Sequence, residues 1–331
     1  MRREDKYQHE DFNCSVEVAA NEHIHPSDPE RVHASLSVTP PLTSVLKGYY
    51  ELTKPGITQM VVLTAAVGYY VGLPHSIPFA SVDNILRFVV FACATTLVSA
   101  GACALNHYVE RNDDAVMKRT AQRPIPSGLI SANAALIFAV ISSVVGLSAM
   151  FLINTLTFAL ALCTTLSYVF VYTPMKKKSW IAMLVGGIPG ALPVLGGYTA
   201  STGHTDMTAF LLFAIMFVWQ MPHFLALAMM YRHDYERGGF ALLRSEESQQ
   251  TTVALHALIY TAILLPLGIM LGVIANVGSL FVAGHVILCA VFVYTALKVV
   301  RETTPVRARK LLLTSYAYVM GVFLLMVIDK V

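Results

Sequence analysis

The sequence has little charge for its length. Asp, Glu, Lys and Arg make up 13% of its 331 residues, whereas 56% are hydrophobic and the mean hydropathy is +0.61. A soluble globular chain carries a charged fraction of about 25%. The small net charge of +3 also gives no sign of a nucleic-acid partner. The composition therefore predicts a polytopic membrane protein.

Cysteine is also scarce, and its spacing excludes two common kinds of site. The five cysteines contain no CxxC pair, and all but Cys14 lie within apolar runs. Thiols spaced in this way provide neither a disulfide framework nor a zinc site. Disulfides and structural zinc are therefore not expected to stabilise this fold.

The amino-terminal segment lacks the features of a targeting sequence. Residues 1–46 contain eight acidic and four basic residues, whereas a mitochondrial presequence is rich in Arg and poor in acids, and a secretory signal has an early apolar region. We expect 1–46 to be a disordered cytoplasmic tail. We expect 47–331 to be a single transmembrane domain in a bacterial or archaeal plasma (inner) membrane rather than in the mitochondrial inner membrane.

Long apolar runs recur through the rest of the chain. Each is close to the length of about 20 residues that a membrane-spanning helix needs. Nine runs are present, and we predict an all-α protein with nine transmembrane helices, near residues 56–73, 87–107, 128–150, 154–173, 180–199, 208–230, 252–274, 278–298 and 310–328.

The placement of cations supports this count. The second, fourth, sixth and eighth connections between the predicted spans hold fifteen Lys and Arg residues, whereas the odd-numbered connections offer only Arg87. Short loops rich in Lys and Arg stay in the cytoplasm. The pattern therefore predicts a cytoplasmic amino terminus and a carboxyl terminus on the outside.

Residues 106–124 concentrate charge at the end of the second apolar run. If the helix continues, Asn106, Glu110 and Asp114 share one face, because residues four apart drift by only about 40° and rise by about 6 Å. Oxygen ligands at a membrane boundary beside Lys and Arg suit Mg²⁺ and a diphosphate. The alternative is a solvated loop with local ion pairs such as Asp114 with Lys118.

A second polar block lies inside the sixth apolar run. Trp219, Gln220, Pro222 and His223 stand there at membrane depth, where a polar side chain is costly unless it is paired or functional. His223 could ligate iron, contact a substrate, or make a structural hydrogen bond between helices beside a kink at Pro222. Arg232 and Asp234 follow in a charged connection, where they could contact a diphosphate and a metal.

Two further features belong to the same side of the membrane. The lysines at 176–178 either serve only as an orientation signal or receive anionic groups, and Lys54 before the first span has the same two interpretations. The fifth run is interrupted by small residues and prolines, which predicts a broken or loosely wound helix beside a bulky ligand: Gly186, Gly187, Pro189, Gly190, Pro193, Gly196 and Gly197.

These blocks resemble the UbiA-type intramembrane prenyltransferase superfamily. Its first motif, Asn-x-x-x-Asp-x-x-x-Asp, corresponds to Asn106, Glu110 and Asp114, with Glu110 in place of the usual first Asp. The continuation through Met117, Arg119, Thr120, Arg123 and Pro124 also resembles the family. Within the superfamily, the chain resembles the haem O synthase branch. That resemblance rests on Trp219, Gln220, Met221, Pro222, His223 and Phe224, followed by Arg232, Asp234, Tyr235, Gly238 and Gly239.

The resemblance implies a fold and an activity. It implies a nine-helix bundle around a cavity that faces the cytoplasm. It also implies transfer of the farnesyl group of farnesyl diphosphate to the 2-vinyl group of haem B, with water addition, to give haem O and diphosphate, with Mg²⁺ as cofactor. The implied partners are the two substrates and the lipid bilayer. A haem A synthase or a terminal oxidase assembly is implied by the pathway alone.

The resemblance also implies roles for individual residues. The catalytic motif is Asn106, Glu110 and Asp114, and the Mg²⁺ ligands, acting through the diphosphate, are Glu110, Asp114 and Asp234. The diphosphate contacts are Lys118, Arg119, Arg123 and Arg232. The haem side is formed by His223, Gln220, Trp219, Tyr172 and Lys176, and a second acidic site by Asp234 and Tyr235.

Two other functions remain open from the residues alone. One is a prenyltransferase for a quinone-type or other aromatic acceptor, against which the block at 219–223 and the lack of a second Asp-rich motif both argue. The other is a haem transporter or carrier without catalysis. Transport gives no reason for carboxylates at four-residue spacing on the cytoplasmic rim.

Overall fold

The computed structural model describes residues 40–74, 80–233, 247–275 and 277–330, with only the backbone for 247–250. The described chain is helical: α1 Leu42–Leu52, α2 Pro55–Gly72, α3 Val82–Val109, α4 Arg111–Val116, α5 Ala132–Ile153, α6 Thr155–Met175, α7 Ala182–Thr202, α8 Met207–Met230, α9 Glu247–Ile274, α10 Ser279–Arg301 and α11 Pro305–Ile328. The predicted all-α class is confirmed. The predicted boundary at residue 46 falls within α1 and stays a prediction.

Eight helices of the described chain are long and apolar enough to cross a membrane. They correspond to the second through ninth predicted spans. The first predicted span corresponds to α2, which has 18 residues and is not among the eight. The structure therefore confirms a multi-helix membrane protein but does not confirm the count of nine.

Side-chain caps mark where several of these helices begin. Ser81, Ser131, Asn154 and Asp206 each precede a helix and accept a hydrogen bond from the backbone N–H three residues later, at 2.7 to 3.4 Å. Such caps satisfy backbone donors that have no partner within the helix. The polar residues between the apolar runs thus determine where each helix starts.

The predicted break in the fifth span is wrong, because α7 is one continuous helix with Pro189 and Pro193 inside it. Its glycines make room for neighbouring groups. A Cβ on Gly186 would lie 2.5 Å from the Tyr172 ring, and one on Gly190 would lie 1.9 Å from Oε1 of Gln220. Close neighbours of this kind sustain a helix that contains proline within a membrane bundle.

Pro222 does not break its helix either, since α8 runs without interruption through it. The irregular backbone lies instead in α6, where Ser167–Tyr172 forms a π-helical turn. Such turns often lie at functional sites. Here the turn ends at Tyr172, just before the lysines at 176–178.

Two helices, α7 and α8, lie at the centre of the bundle. In α7 and α8, 72% and 67% of the apolar span is buried, against 28% in both α5 and α10. The outer helices instead expose large apolar side chains, as expected of surfaces that face lipid. The bundle therefore has a protein-packed centre around which a polar site can be built.

The contact between α2 and α7 generates a prediction about stability. A Cβ on Gly197 would lie 1.9 Å from the carbonyl oxygen of Ala65, a backbone atom that no rotamer change can move. Gly197→Ala should lower the free energy of unfolding by about 1–3 kcal/mol. The measurement is the melting temperature of the purified protein in detergent. Gly196→Ala is the matched control, because no atom lies within 4 Å of its added Cβ. Equal melting temperatures of the two variants would contradict the packing.

Candidate active site

The motif residues Asn106, Glu110 and Asp114 share one buried face across a short change of helix. The helix α3 ends at Val109, and Glu110 joins it to α4 with φ −87° and ψ 5°. The Glu110 amide donates to the Asn106 carbonyl at 2.9 Å, and the Asp114 amide donates to the Glu110 carbonyl at 2.8 Å. The four-residue bonding pattern thus persists, and the three residues are 0%, 6% and 0% exposed.

Each motif side chain contacts a cation from another segment. Arg123 donates to both carboxylate oxygens of Asp114 at 2.7 and 2.8 Å. Lys176 pairs with Glu110 at 2.9 Å, and Lys54 donates to Oδ1 of Asn106. These three contacts join the connection after α4, the end of α6 and the start of α2. The alternative interpretation offered Lys118 as the partner of Asp114, but the Asp114 carboxylate pairs with Arg123 instead, and the Thr120 hydroxyl donates to the Asp114 carbonyl.

The charge state of these groups follows from burial and proximity. Burial lowers the pKa of Lys54 to about 8. Burial alone would raise the pKa of Glu110, but the nearby Lys176 and Lys54 outweigh it and hold that pKa below its usual value. Glu110 is therefore ionised near neutral pH. The site holds buried carboxylate charge that its cations compensate.

Lys54 also has an unusual backbone. Its φ of 46° is the only positive φ at a non-glycine residue in the part of the chain that the structure describes. The following Pro55 further restricts that conformation. Strained residues of this kind cluster at functional sites. In this conformation the Lys54 ammonium lies beside Asn106.

A cavity of about 750 Å³ opens beside the motif. Four cations line it: Lys54, Arg119, Arg123 and Lys176. All four come from connections at the same ends of the helices. We call them the basic rim. The remaining lining is mostly apolar and extends to Phe91 and Met150. The cavity can therefore accept an anionic group at the rim and a long apolar group inside.

Part of the cavity wall comes from α8 and α11. Gln220 donates to the carbonyls of Met216 at 2.9 Å and Gly187 at 3.3 Å. Trp219 Nε1 donates to the Ser315 carbonyl at 2.7 Å, and His223 Nδ1 lies 2.9 Å from Ser315 Oγ. The Trp219 indole N–H, the Gln220 amide N–H and one nitrogen of His223 are thus paired, which lowers their cost at membrane depth. His223 makes the predicted bond between helices and also lines the cavity.

The structure sorts the predicted site residues into four groups. Seven line the cavity: Arg119, Arg123, Tyr172, Lys176, Trp219, Gln220 and His223. The three motif residues stand behind the basic rim as partners of its cations. Lys118 is exposed, and neither it nor Arg232 is among the lining residues. Asp234 and Tyr235 lie outside the described residues.

Sequence reasoning missed other residues of the site. Tyr168, Ser315 and Tyr316 were not predicted, although Tyr168 and Tyr316 line the cavity and Ser315 binds His223. Ser315 and Tyr316 lie inside an apolar run with no charge or glycine pattern around them. Lys54 was noted in the sequence because it stands before the first predicted span. Its position there did not show whether it binds an anion or only sets the orientation of the chain in the membrane.

The donor set fits a divalent cation that is shared with a substrate. No group of three or more His, Cys, Asp or Glu side chains within the described ranges could enclose a metal ion. Glu110 and Asp114 do offer carboxylate oxygens, and Asn106 offers an amide oxygen. Mg²⁺ is usually bound by one or two carboxylates together with substrate phosphates. The site suits that mode better than a metal cage built by the protein alone.

Comparison with known sequences gives consistent matches. The model of the UbiA prenyltransferase family matches residues 61–324. The chain is 37% identical to the protoheme IX farnesyltransferase of Solibacter usitatus over 289 residues, covering 86% of this chain and 99% of that one. It is also 37% identical to the protoheme IX farnesyltransferase of Myxococcus xanthus, covering 88% and 97% of the two chains.

Solved structures share the fold. A digeranylgeranylglyceryl phosphate synthase aligns with a TM-score of 0.71 at 19% identity, covering 86% of this chain and 98% of that one. A UbiA homolog from Archaeoglobus fulgidus, solved with GPP and Mg²⁺, aligns with a TM-score of 0.58 at 15% identity and covers 84% and 99% of the two chains. At these identities the likeness establishes the architecture alone.

The buried ion pair generates the next prediction. Arg123→Leu leaves the Asp114 carboxylate, whose side chain is 1% exposed, without its cation. The free energy of unfolding should fall by about 3–5 kcal/mol, measured as a loss of melting temperature in detergent. The double variant Arg123→Leu/Asp114→Leu should recover most of that loss.

The pair between Lys177 and Asp113 provides the control, since these side chains are 49% and 23% exposed. Lys177→Leu should cost less than about 1 kcal/mol. If Arg123→Leu and Lys177→Leu melted at the same temperature, the buried pair would not carry the stability assigned to it.

Proposed function

The chain belongs to the UbiA prenyltransferase family, and we propose that it transfers the farnesyl group of farnesyl diphosphate to the 2-vinyl group of haem B, with addition of water, which gives haem O and diphosphate. The observation that carries the proposal is the cavity of about 750 Å³, with four cations and two buried carboxylates at one end and an apolar interior. Relatives named protoheme IX farnesyltransferase, 37% identical over most of the chain, support haem as the acceptor.

The basic rim binds the diphosphate. Arg123 and Lys176 already pair with Asp114 and Glu110, so an incoming diphosphate meets cations whose positions are set in advance. Lys54 and Arg119 add positive charge from two other segments. Guanidinium and ammonium groups make strong charge-assisted hydrogen bonds to phosphate oxygens. Because Lys176 pairs with Glu110, we place it on the diphosphate side rather than with the haem.

Mg²⁺ belongs to the same end of the cavity. Glu110, Asp114 and Asn106 would hold it together with diphosphate oxygens; the ligand role that the sequence suggested for Asp234 stays a prediction. When bound, the ion supplies charge neutralisation at the leaving group. The relative from Archaeoglobus fulgidus, solved with GPP and Mg²⁺, supports the use of a divalent metal in this fold.

The reaction begins at C1 of the farnesyl chain. The bond between C1 and oxygen breaks, the electron pair leaves with the diphosphate, and the basic rim stabilises the developing negative charge. The allylic cation that remains lies among the apolar residues that line the cavity. Tyr168 and Tyr172 line the cavity near the rim with their rings 5.6 Å apart, and such faces attract a cation.

The haem acceptor then forms the new carbon–carbon bond. The terminal carbon of the 2-vinyl group forms a bond to C1, which leaves a cation on the vinyl carbon next to the macrocycle. Water adds there and loses a proton, so the product carries a hydroxyethylfarnesyl group. We place the macrocycle against the part of the cavity wall formed by Trp219, Gln220 and His223.

The orientation in the membrane follows from the same charges. The chain is a multi-pass membrane protein, and we propose that the basic rim faces the cytoplasm of a plasma membrane, with the carboxyl terminus outside. Arg119, Arg123 and Lys176 belong to connections that are rich in cations. A soluble diphosphate substrate would then enter from the cytoplasm.

The alternatives have less support. Transport of haem would not require two buried carboxylates paired with cations beside the cavity. A quinone-type acceptor gives no reason for a neutral imidazole on the cavity wall. Haem farnesylation uses both features.

The first experiment is chromatography of extracted haems. Membranes that contain the protein receive haem B, farnesyl diphosphate and Mg²⁺, and a parallel sample also receives EDTA. We expect a later-eluting haem with the mass of the hydroxyethylfarnesyl product, and no such haem with EDTA. Unmodified haem B in a folded sample that binds it would contradict the proposal and direct the search to other aromatic acceptors, and then to transport.

A second prediction concerns the motif carboxylate. Asp114→Asn removes the charge but keeps the shape, so turnover should be lost while the protein remains folded in the membrane. Asp113→Asn is the matched control, because its carboxylate pairs with the surface residue Lys177. Turnover is measured as haem product per minute at saturating substrates. Activity in Asp114→Asn equal to that of Asp113→Asn would remove Asp114 from the metal and diphosphate site.

A further inference from the structure

The hydrogen bonds around Ser315 determine which nitrogen of His223 carries a proton. The Ser315 hydroxyl donates to the Leu312 carbonyl at 2.6 Å. A serine hydroxyl has one hydrogen, so its contact at 2.9 Å with His223 Nδ1 requires Nδ1 to be the donor. A neutral imidazole protonated at Nδ1 has its lone pair on Nε2. The structure thus contains a histidine with a defined tautomer.

The ring of His223 is also held in place from several sides. Trp219, Tyr316 and Phe224 lie with ring centroids 5.3, 4.9 and 5.8 Å from it. All three line the cavity together with His223. The structure gives Nε2 no hydrogen-bond partner among the described residues, although Nδ1 has one. The Nε2 lone pair is therefore free to bind a ligand, and it belongs to a residue that lines the cavity.

The serine is itself fixed to the helix that carries the histidine. Trp219 donates to the Ser315 backbone carbonyl at 2.7 Å, one turn of α8 before His223. The hydroxyl and the carbonyl of one α11 residue thus both bind α8. This double contact holds the Ser315 hydroxyl next to Nδ1 of His223. The helix α11 therefore positions the imidazole as well as packing against it.

A second buried histidine provides a contrast within the same bundle. His285 is 0% exposed, and its Nε2 lies 3.1 Å from the Leu264 carbonyl, to which it must donate. It is not among the cavity-lining residues. His285 thus uses Nε2 for a structural bond, whereas His223 uses Nδ1, leaves Nε2 unpaired within the described part of the chain and lines the cavity.

We propose that Ser315 is a positioning residue that holds His223 in the tautomer with Nδ1 protonated, so that Nε2 of His223 ligates the iron of the haem acceptor. Histidines that bind metals generally donate their other ring N–H to a fixed acceptor, which orients the ring and strengthens the ligand. Iron ligation would also fix the macrocycle relative to the basic rim. This inference rests on the proposed function.

The test measures the bond between iron and imidazole apart from turnover. Purified protein in detergent is titrated with haem B without farnesyl diphosphate, and the iron–histidine stretching band of the ferrous form is recorded by resonance Raman spectroscopy. The wild-type protein should show the band. His223→Ala should lose it, and added imidazole should restore a ligated spectrum.

Ser315→Ala should weaken haem B binding about 10-fold and shift the band to lower frequency, because Nδ1–H loses its acceptor. The KM for farnesyl diphosphate should not change. Ser315→Thr keeps the hydroxyl and should resemble the wild type. Ser315→Cys has a weaker acceptor of similar shape, so its band and haem affinity should change in the same direction as those of Ser315→Ala. It replaces Ser315→Ala in the test if that variant does not fold.

Thr261→Val is the matched control, because Thr261 is a buried hydroxyl that donates within its own helix to the Leu258 carbonyl at 2.7 Å. It should leave the band and the haem affinity unchanged. An unshifted band with unchanged haem affinity in both Ser315→Ala and Ser315→Cys would overturn the inference. So would a wild type that farnesylates haem B without an iron–histidine band. A wild type that neither binds nor modifies haem B would instead overturn the proposed function.

Discussion

The burial of two carboxylates at the edge of a membrane bundle is the constraint on which the rest of the structure depends. Glu110 and Asp114 are almost fully enclosed, and a carboxylate in such a place is stable only with a compensating partner. The partners, Lys176 and Arg123, come from different connections, so satisfying the charges brings the ends of α3, α4 and α6 together. The same cations line the cavity, where a diphosphate can bind them in turn. Structural compensation and substrate binding therefore use one set of groups.

Close approach of helix backbones gives this site its walls. Small residues in α7 let the Ala65 carbonyl, the Tyr172 ring and the Gln220 amide approach positions where a Cβ would not fit. In a bilayer, where apolar burial does not drive helices together, such close packing supplies much of the attraction between them. The glycines that suggested a broken helix thus preserve a continuous one and admit the side chains of the cavity wall.

The sequence predicted what depends on periodicity and missed what depends on contacts between distant segments. Apolar runs identified the helices, and four-residue spacing placed Asn106, Glu110 and Asp114 on one face, because both follow from helix geometry. The partner of Asp114 is Arg123 rather than Lys118, since that choice depends on how the intervening loop folds. Ser315 meets His223 across 92 residues of chain, and no local pattern marks it. Pro189 and Pro193 suggested a broken helix for the same reason, because the groups that pack against their helix come from other helices.

The two interpretations of His223, as a structural residue or as a ligand, are compatible. A histidine with no hydrogen-bond partner would exchange its proton between Nδ1 and Nε2, and its burial at membrane depth would cost free energy. The hydrogen bond to Ser315 removes both difficulties, because it satisfies Nδ1 and leaves the lone pair on Nε2. The bond between helices that first suggested a purely structural role is therefore what prepares the imidazole to bind a metal. The same logic applies to the basic rim, where structural pairing with Glu110 and Asp114 holds the cations ready for an anionic substrate.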